Sequence, residues 1–102
     1  MPSVADLVEP ARLQDLARPS DLRLGQEIAR QRGIEFIEFG PLRVAAKVGG
    51  VAAAQTRRTV VLESTPAGLH WSCTCTRHTH HFCKHCVATA LATWDEAPKR
   101  RQ

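Results

Sequence analysis

A chain of 102 residues and 11.3 kDa, 43% hydrophobic and 24% charged, has room for one folded domain and is too apolar for a disordered segment. A formal charge of +4 admits a nucleic-acid partner without identifying one. No apolar run approaches the roughly 20 residues of a membrane-spanning helix, and the acidic start Met1-Pro2-Ser3-Val4-Ala5-Asp6 lacks the basic-then-apolar pattern of a secretory signal. The expected compartment is therefore the reducing cytoplasm, where clustered cysteines more often bind metal than pair as disulfides.

At the N-terminus Val4, Leu7, Val8 and Ala11 recur at helical spacing, and Ser3 with Asp6 resembles an N-cap with an acid at N3. Pro10 interrupts that pattern, which predicts a short helix or two pieces ending near Ala17. Ser20 then reads as the N-cap of a helix over about 21–32, stopped by Gly33, with Leu24, Ile28 and Leu22 on its buried side. The period changes to two at Ile34–Phe39, a strand followed by the turn Gly40-Pro41. Leu42–Val48 reads as a second strand ended by Gly49-Gly50, and Thr59–Glu63 as a third, with Val51–Arg58 its leading half or a loop. After the turn at residues 65–68, Leu69–Cys75 reads as a further strand. A helix is predicted from Cys83 or Lys84 to about Glu96, stopped by Pro98, with Val87, Ala90, Leu91 and Trp94 on one face. These elements give an α+β fold: a helical segment over 1–33, antiparallel strands over 34–68 forming a small sheet of about three to four strands, a cysteine-bearing finger over 69–97, and a basic tail over 98–102.

Only five aromatic residues, Phe36, Phe39, Trp71, Phe82 and Trp94, are available to the core. A domain of this size buries only about two-thirds of its unfolded surface, so so thin a core calls for extra stabilisation. The four cysteines, Cys73, Cys75, Cys83 and Cys86, all fall near one another and are the obvious source. Cys73-Thr74-Cys75 and Cys83-Lys84-His85 are two donor pairs spaced i, i+2. Side chains at i and i+2 of a strand share a face, so Cys73 and Cys75 can grip one ion, while a disulfide between them would close a strained ring. The second pair stands where a loop enters a helix. Four thiolate and imidazole donors make a closed tetrahedral zinc site of the structural kind. Cys86 competes with His85 for the fourth position; otherwise it suits the inner side of the helix as a small apolar residue. His78, His80 and His81 read as solvated loop residues, the alternative being a second, weaker metal site or a pH-dependent phosphate contact.

Trp71-Ser72-Cys73-Thr74-Cys75 followed by Phe82-Cys83-Lys84-His85-Cys86-Val87-Ala88-Thr89-Ala90-Leu91-Ala92 resembles the SWIM zinc finger, CxC…CxH with a Lys before the His and an Ala/Leu-rich helix after it. The resemblance covers about 71–92; less specifically, the stretch from Leu24-Gly25 to Gly40 looks like the N-terminal flank of bacterial members. It implies a ββα finger holding one structural Zn2+ through Cys73, Cys75, Cys83 and His85. It also implies DNA binding or protein–protein interaction as the role, often beside Swi/Snf-type ATPases. Thr76 stands where many members have Pro, and Cys86 where an aliphatic residue is common.

Three thiolates on Zn2+ leave the site with one negative charge, which Lys84, and less directly Arg77, would offset. The basic excess lies mostly after residue 63. As a nucleic-acid module the chain would contact phosphates through Arg77, Lys84, Lys99, Arg100 and Arg101, without base readout. As an adaptor it would use the zinc finger as scaffold and the amphipathic N-terminal segment or a sheet edge as contact surface, for example toward a DNA-processing ATPase. Catalysis is not expected: a closed four-ligand site leaves no position for water or substrate, and no paired carboxylates, phosphate loop or Ser/His/Asp set is present. No membrane or small-molecule partner is expected. Zinc release on thiol oxidation has no mark beyond the thiols themselves.

Overall fold

In a computed structural model of the chain, the described residues are 2–31, 33–49, 58–74 and 82–100. They form α1 (Val4–Leu7), α2 (Pro10–Leu16), α3 (Pro19–Arg30), β1 (Ile34–Phe39), β2 (Arg43–Val48), β3 (Arg58–Thr65), β4 (Gly68–Cys73) and α4 (Lys84–Arg100). The fold is α+β, as the order of elements in the sequence predicts. The sheet is an antiparallel meander in the order β1-β2-β3-β4, which leaves β1 and β4 as its edges.

The N-terminal signals act as expected where they are strongest. Ser3 accepts the Asp6 amide and Asp6 reaches back to the Ser3 amide, a full capping box on α1. Pro10 does not kink one helix but starts a second, from the N1 position of α2. The same device corrects the start of α3. Pro19 occupies N1 and Arg18, not Ser20, is the N-cap, because proline's fixed φ and missing amide suit the first helical position. The buried side of α3 also differs from expectation: Leu24 is 45% exposed, whereas Gly25 is buried, with Leu22 and Ile28 half-buried. A Cβ at Gly25 would lie 2.5 Å from the Val87 side chain and 2.9 Å from the Lys84 carbonyl oxygen. The helices touch backbone to backbone there, which turns α3 on the glycine rather than on its leucines.

β1 departs from strict alternation. Phe36 pairs with Ala46 and Glu38 with Ala45, so Ile37 is an extra residue, a bulge, and stands 56% exposed. The bulge lets Phe36 and Phe39 share the inner face, where their rings meet edge to face at 5.0 Å. Val44, Ala46, Val48, Val60 and Leu62 alternate onto that face and pack with Val4, Val8 and Leu13 from the N-terminal helices and with Phe82, Cys86 and Val87. The N-terminal helices thus belong to the same core as the sheet. Ser64, also inward, donates to the Pro2 carbonyl at 2.5 Å, and the Val4 amide donates to the Pro41 carbonyl at 2.7 Å. The outer face carries Glu38, Arg43, Glu63 and His70, with Arg43 bridging Glu38 (3.1 Å) and Glu63 (3.8 Å).

α4 runs through Pro98 instead of stopping before it. In the last turn a proline removes only one helical bond, and the carbonyl it frees belongs to the exposed Trp94, while Ala97 stays buried beside it. Trp94 is 41% exposed, contrary to its expected place in the core. The buried face is instead Cys86, Val87, Ala90, Thr93 and Ala97. Thr89 and Thr93, both buried, satisfy their hydroxyls on the carbonyls four residues earlier, at 2.9 and 2.7 Å.

Candidate metal centre

Two elements deliver the donors. Along β4, Leu69, Trp71 and Cys73 point inward and are half-buried, while His70 and Ser72 are exposed. Cys73 pairs with Val60, so it sits beside the core rather than at a free end. The strand end is fixed by the Thr74 amide donating to the Thr59 carbonyl (3.2 Å) and the Thr59 amide donating to the Thr74 hydroxyl (3.0 Å). At the other side, Cys83 immediately precedes α4, and its carbonyl accepts the Val87 amide at 3.0 Å. His85 and Cys86 follow in the first turn.

An aromatic pair brings these segments together. Trp71, two residues before Cys73, meets Phe82, the residue before Cys83, edge to face at 5.0 Å. Phe82 is 1% exposed. With that pair seated, the donor atoms of Cys73, Cys83 and His85 all lie within 4.8 Å of one another. The Cys83 sulfur is 3.7 Å from His85 Nδ1, close to the edge of about 3.5 Å that a tetrahedral zinc with bonds of about 2.3 Å to sulfur and about 2.0 Å to nitrogen requires. The donor set therefore fits a metal ion. No disulfide joins the described cysteines Cys73, Cys83 and Cys86.

The electrostatics of the protein alone are those of a shared-proton cluster. Hydrogen bonds from Cys73 and then Cys86 hold the Cys83 thiol well below its ordinary pKa. The Cys86 backbone amide also donates to the Cys83 sulfur, so this thiolate caps α4 as a serine would. His85 is raised to about 9, chiefly by its hydrogen bonds to Cys73 and Cys83. Cys86 is pushed up by its hydrogen bonds with Cys73 and Cys83 and by burial. A metal ion bound by these groups would take the place of the protons they share.

Of the four expected ligands, Cys73, Cys83 and His85 are thus brought together, and Cys75 lies outside the described residues. Cys86 is fully buried, as its helix-core reading expects, and also reaches the thiol cluster, with its sulfur 3.8 Å from that of Cys83. The basic residues are not gathered in the same way. Lys84 is half-buried at the start of α4, and Lys99 lies about 22 Å along the helix, where its ammonium is 3.6 Å from Asp95. Arg100 ends α4; Arg77, Arg101 and the histidines at 78, 80 and 81 fall outside the described residues. Sequence reasoning missed Gly25, whose close approach to Lys84 and Val87 sets where the donor-bearing turn of α4 stands. Its only mark in the sequence is a glycine inside a helical pattern, which costs about 1 kcal/mol against alanine and so asks for a packing reason.

No helix among the described residues is long and apolar enough to cross a membrane. No family model matches the chain, and neither a curated protein nor a solved structure matches it.

Proposed function

We propose that the chain is a zinc-binding module of the SWIM type, non-catalytic, whose single structural ion ties the end of β4 to the start of α4. The observation that carries this reading is the convergence of Cys73, Cys83 and His85 within 4.8 Å, on two elements far apart in sequence. Cys75, at the position the motif prescribes, is the fourth ligand. Zn2+ suits the set because it takes thiolate and imidazole donors tetrahedrally and has no redox chemistry of its own. With all four positions filled by protein the ion supplies folding free energy, not an activated water. Elemental analysis of the purified chain should find one zinc per molecule, and Cys83→Ala should carry none. A wild-type chain free of metal after purification and zinc addition contradicts the reading.

The module acts in DNA binding, as a protein adaptor, or both, in the cytoplasm. Among the described residues, the placement of charge favours the adaptor. Lys84 and Lys99 stand at opposite ends of α4, Lys99 faces Asp95, and on the outer sheet face Arg43 is bridged to Glu38 and Glu63. A partner such as a DNA-processing ATPase would then be held by shape and apolar contact, without direct nucleic-acid contact by this chain. A gel shift with duplex and single-stranded DNA at low salt separates the two. Binding that weakens steeply with salt supports the DNA role through Lys84, Lys99 and the arginines Arg77, Arg100 and Arg101. No shift at micromolar protein supports the adaptor alone.

A further inference from the structure

We infer that Cys83 and Cys86 are a peroxide-reactive dithiol: a small hydroperoxide oxidises Cys83, Cys86 closes a disulfide onto it, and the closed pair gives up the metal ion. The release of the ion rests on the zinc reading above; the disulfide does not.

Cys83-Lys84-His85-Cys86 is a Cys-x-x-Cys run, the spacing that redox dithiols use. The structure sets it at a helix start. Cys83 immediately precedes the 17-residue α4, its carbonyl accepts the Val87 amide at 3.0 Å, and Cys86 is the third helical residue. Residues three apart are neighbours on a helix surface, and here the two sulfurs stand 3.8 Å apart. A disulfide is about 2.05 Å long and spans Cα atoms about 4.4–6.8 Å apart, a range that includes residues one helical turn apart. Side-chain rotation within one turn therefore closes the bond. A link from Cys83 to Cys73 would have to join α4 to β4 instead.

Cys86 is also the thiol that the ion leaves over. The donors within 4.8 Å of one another are Cys73, Cys83 and His85, and Cys86 is outside that group. It stands beside a ligand without being one.

Burial sets the order of events. Cys83 is 4% exposed and Cys86 has no exposed surface, so the oxidant is small and meets Cys83 first. The start of a helix favours anionic sulfur, the nucleophilic form. The Cys83 sulfur attacks one peroxide oxygen: an S–O bond forms, the O–O bond breaks, and the other oxygen leaves as hydroxide, to be protonated by solvent. Cys83 is now a sulfenic acid. The Cys86 sulfur attacks the Cys83 sulfur, the S–S bond forms, the S–O bond breaks, and the departing hydroxide takes the Cys86 proton as water. Two electrons have passed from the two sulfurs to the peroxide. Zinc needs the thiolate, so the ion loses Cys83 and with it a tie between β4 and α4.

The test treats the zinc-loaded full chain with hydrogen peroxide, quenches with catalase, and follows zinc release and the mass of unreduced peptides. Trypsin cuts after Lys84, so the disulfide shows directly as two joined peptides. The wild type should lose about 2 Da, carry the Cys83–Cys86 link, release one zinc per link, and bind zinc again after thiol reduction. In Cys86→Ala, Cys83 should pass on to the sulfinic and sulfonic acids, gaining about 32 or about 48 Da, and reduction should not restore zinc binding. A link through Cys73 or Cys75 in place of Cys86, peroxide oxidation that leaves Cys86 a thiol, or full recovery of Cys86→Ala overturns the inference. A wild type that never holds zinc overturns the zinc reading alone, since the link is still read by mass. The wild-type link decides the question by itself if Cys86→Ala fails to fold.

Discussion

The two edges of the sheet each carry an edge-to-face aromatic pair with centroids 5.0 Å apart, yet they are held by different physics. At β1 the pair is Phe36 and Phe39, three residues apart in one strand and turned to the same face by the bulge at Ile37. The hairpin with β2 is closed at both ends by backbone bonds: the Gly49 amide donates to the Gly33 carbonyl at 3.0 Å and the Gly40 amide to the Arg43 carbonyl at 2.9 Å. The aromatic pair and the closing bonds of this edge all lie within one hairpin. At β4 the pair is Trp71 and Phe82, eleven residues apart, and the side chains beyond it are Cys73, Cys83, His85 and Cys86 rather than aliphatic residues. That edge sets a cluster of potential metal donors beside its aromatic pair and the buried core. In a chain with five aromatic residues, the proposed coordination would add to the packing at that end.

The largest break in this comparison is removal of the ion. Structural zinc binds finger peptides with an apparent free energy of about 10–16 kcal/mol near neutral pH, which exceeds the whole stability of many domains of this size. Chelation, or Cys83→Ala, should therefore loosen β4 and the first turns of α4, read as a fall in melting temperature and, in a Trp94→Phe background, a change in Trp71 fluorescence. The sign of its pH dependence follows from His85. In the metal-free protein that group is raised to about 9, so its contacts with Cys73 and Cys83 contribute fully below its ordinary pKa of 6.5 and are lost as pH rises through about 9. Zinc needs the neutral imidazole, so the stabilisation that zinc adds should shrink as pH falls and the proton competes. Melting curves of loaded and chelated protein from about pH 6 to about pH 9.5 should diverge upward with pH; curves that converge as pH rises would contradict zinc binding through these thiol and imidazole donors.

A packing change should separate the edges next. Phe36→Ala removes one partner of the β1 pair and should cost about 2 kcal/mol, below the about 3–5 kcal/mol of a fully buried phenylalanine because this one is half-buried. Zinc affinity should not move, as titration against a competing chelator would show. Gly25→Ala should act on the other side of the comparison. Its Cβ would displace Val87 or the Lys84 carbonyl, an overpacking cost of about 1–3 kcal/mol that outweighs the about 1 kcal/mol gained in helix propensity. Because Lys84 lies between Cys83 and His85, this variant should also weaken zinc binding. The smallest effect is expected at Ser3→Ala, which removes the α1 capping box for about 1 kcal/mol and leaves the metal centre untouched.

How much of this was legible in the sequence follows the same division. Local rules carried the hairpins and the helix starts with strong chemistry: Ser3 with Asp6, Pro10, the alternation of β3, and the glycine punctuation. They failed where two distant segments press together. Leu24 loses its place to Gly25 because α4 comes close enough to touch α3 backbone, and Trp94 stays at the surface because α4 turns Cys86, Val87, Ala90, Thr93 and Ala97 inward. The break expected at Pro98 did not occur, since a proline in the last turn loses one bond and no packing. In the metal centre the spacing alone brought Cys73, Cys83 and His85 together, because strand alternation and a helix start fix where such side chains point. For Cys86 the sequence left two readings open, competing ligand and helix core; the structure buries it fully in the core, with its sulfur 3.8 Å from that of Cys83.

The most direct test of the account is hydrogen exchange on the zinc-loaded chain before and after chelation, resolved by peptide. The account predicts that protection collapses in β4 and in the first turns of α4 while β1 and β2 keep most of theirs. Unchanged protection at β4 and α4, or equal loss at both edges of the sheet, would contradict it.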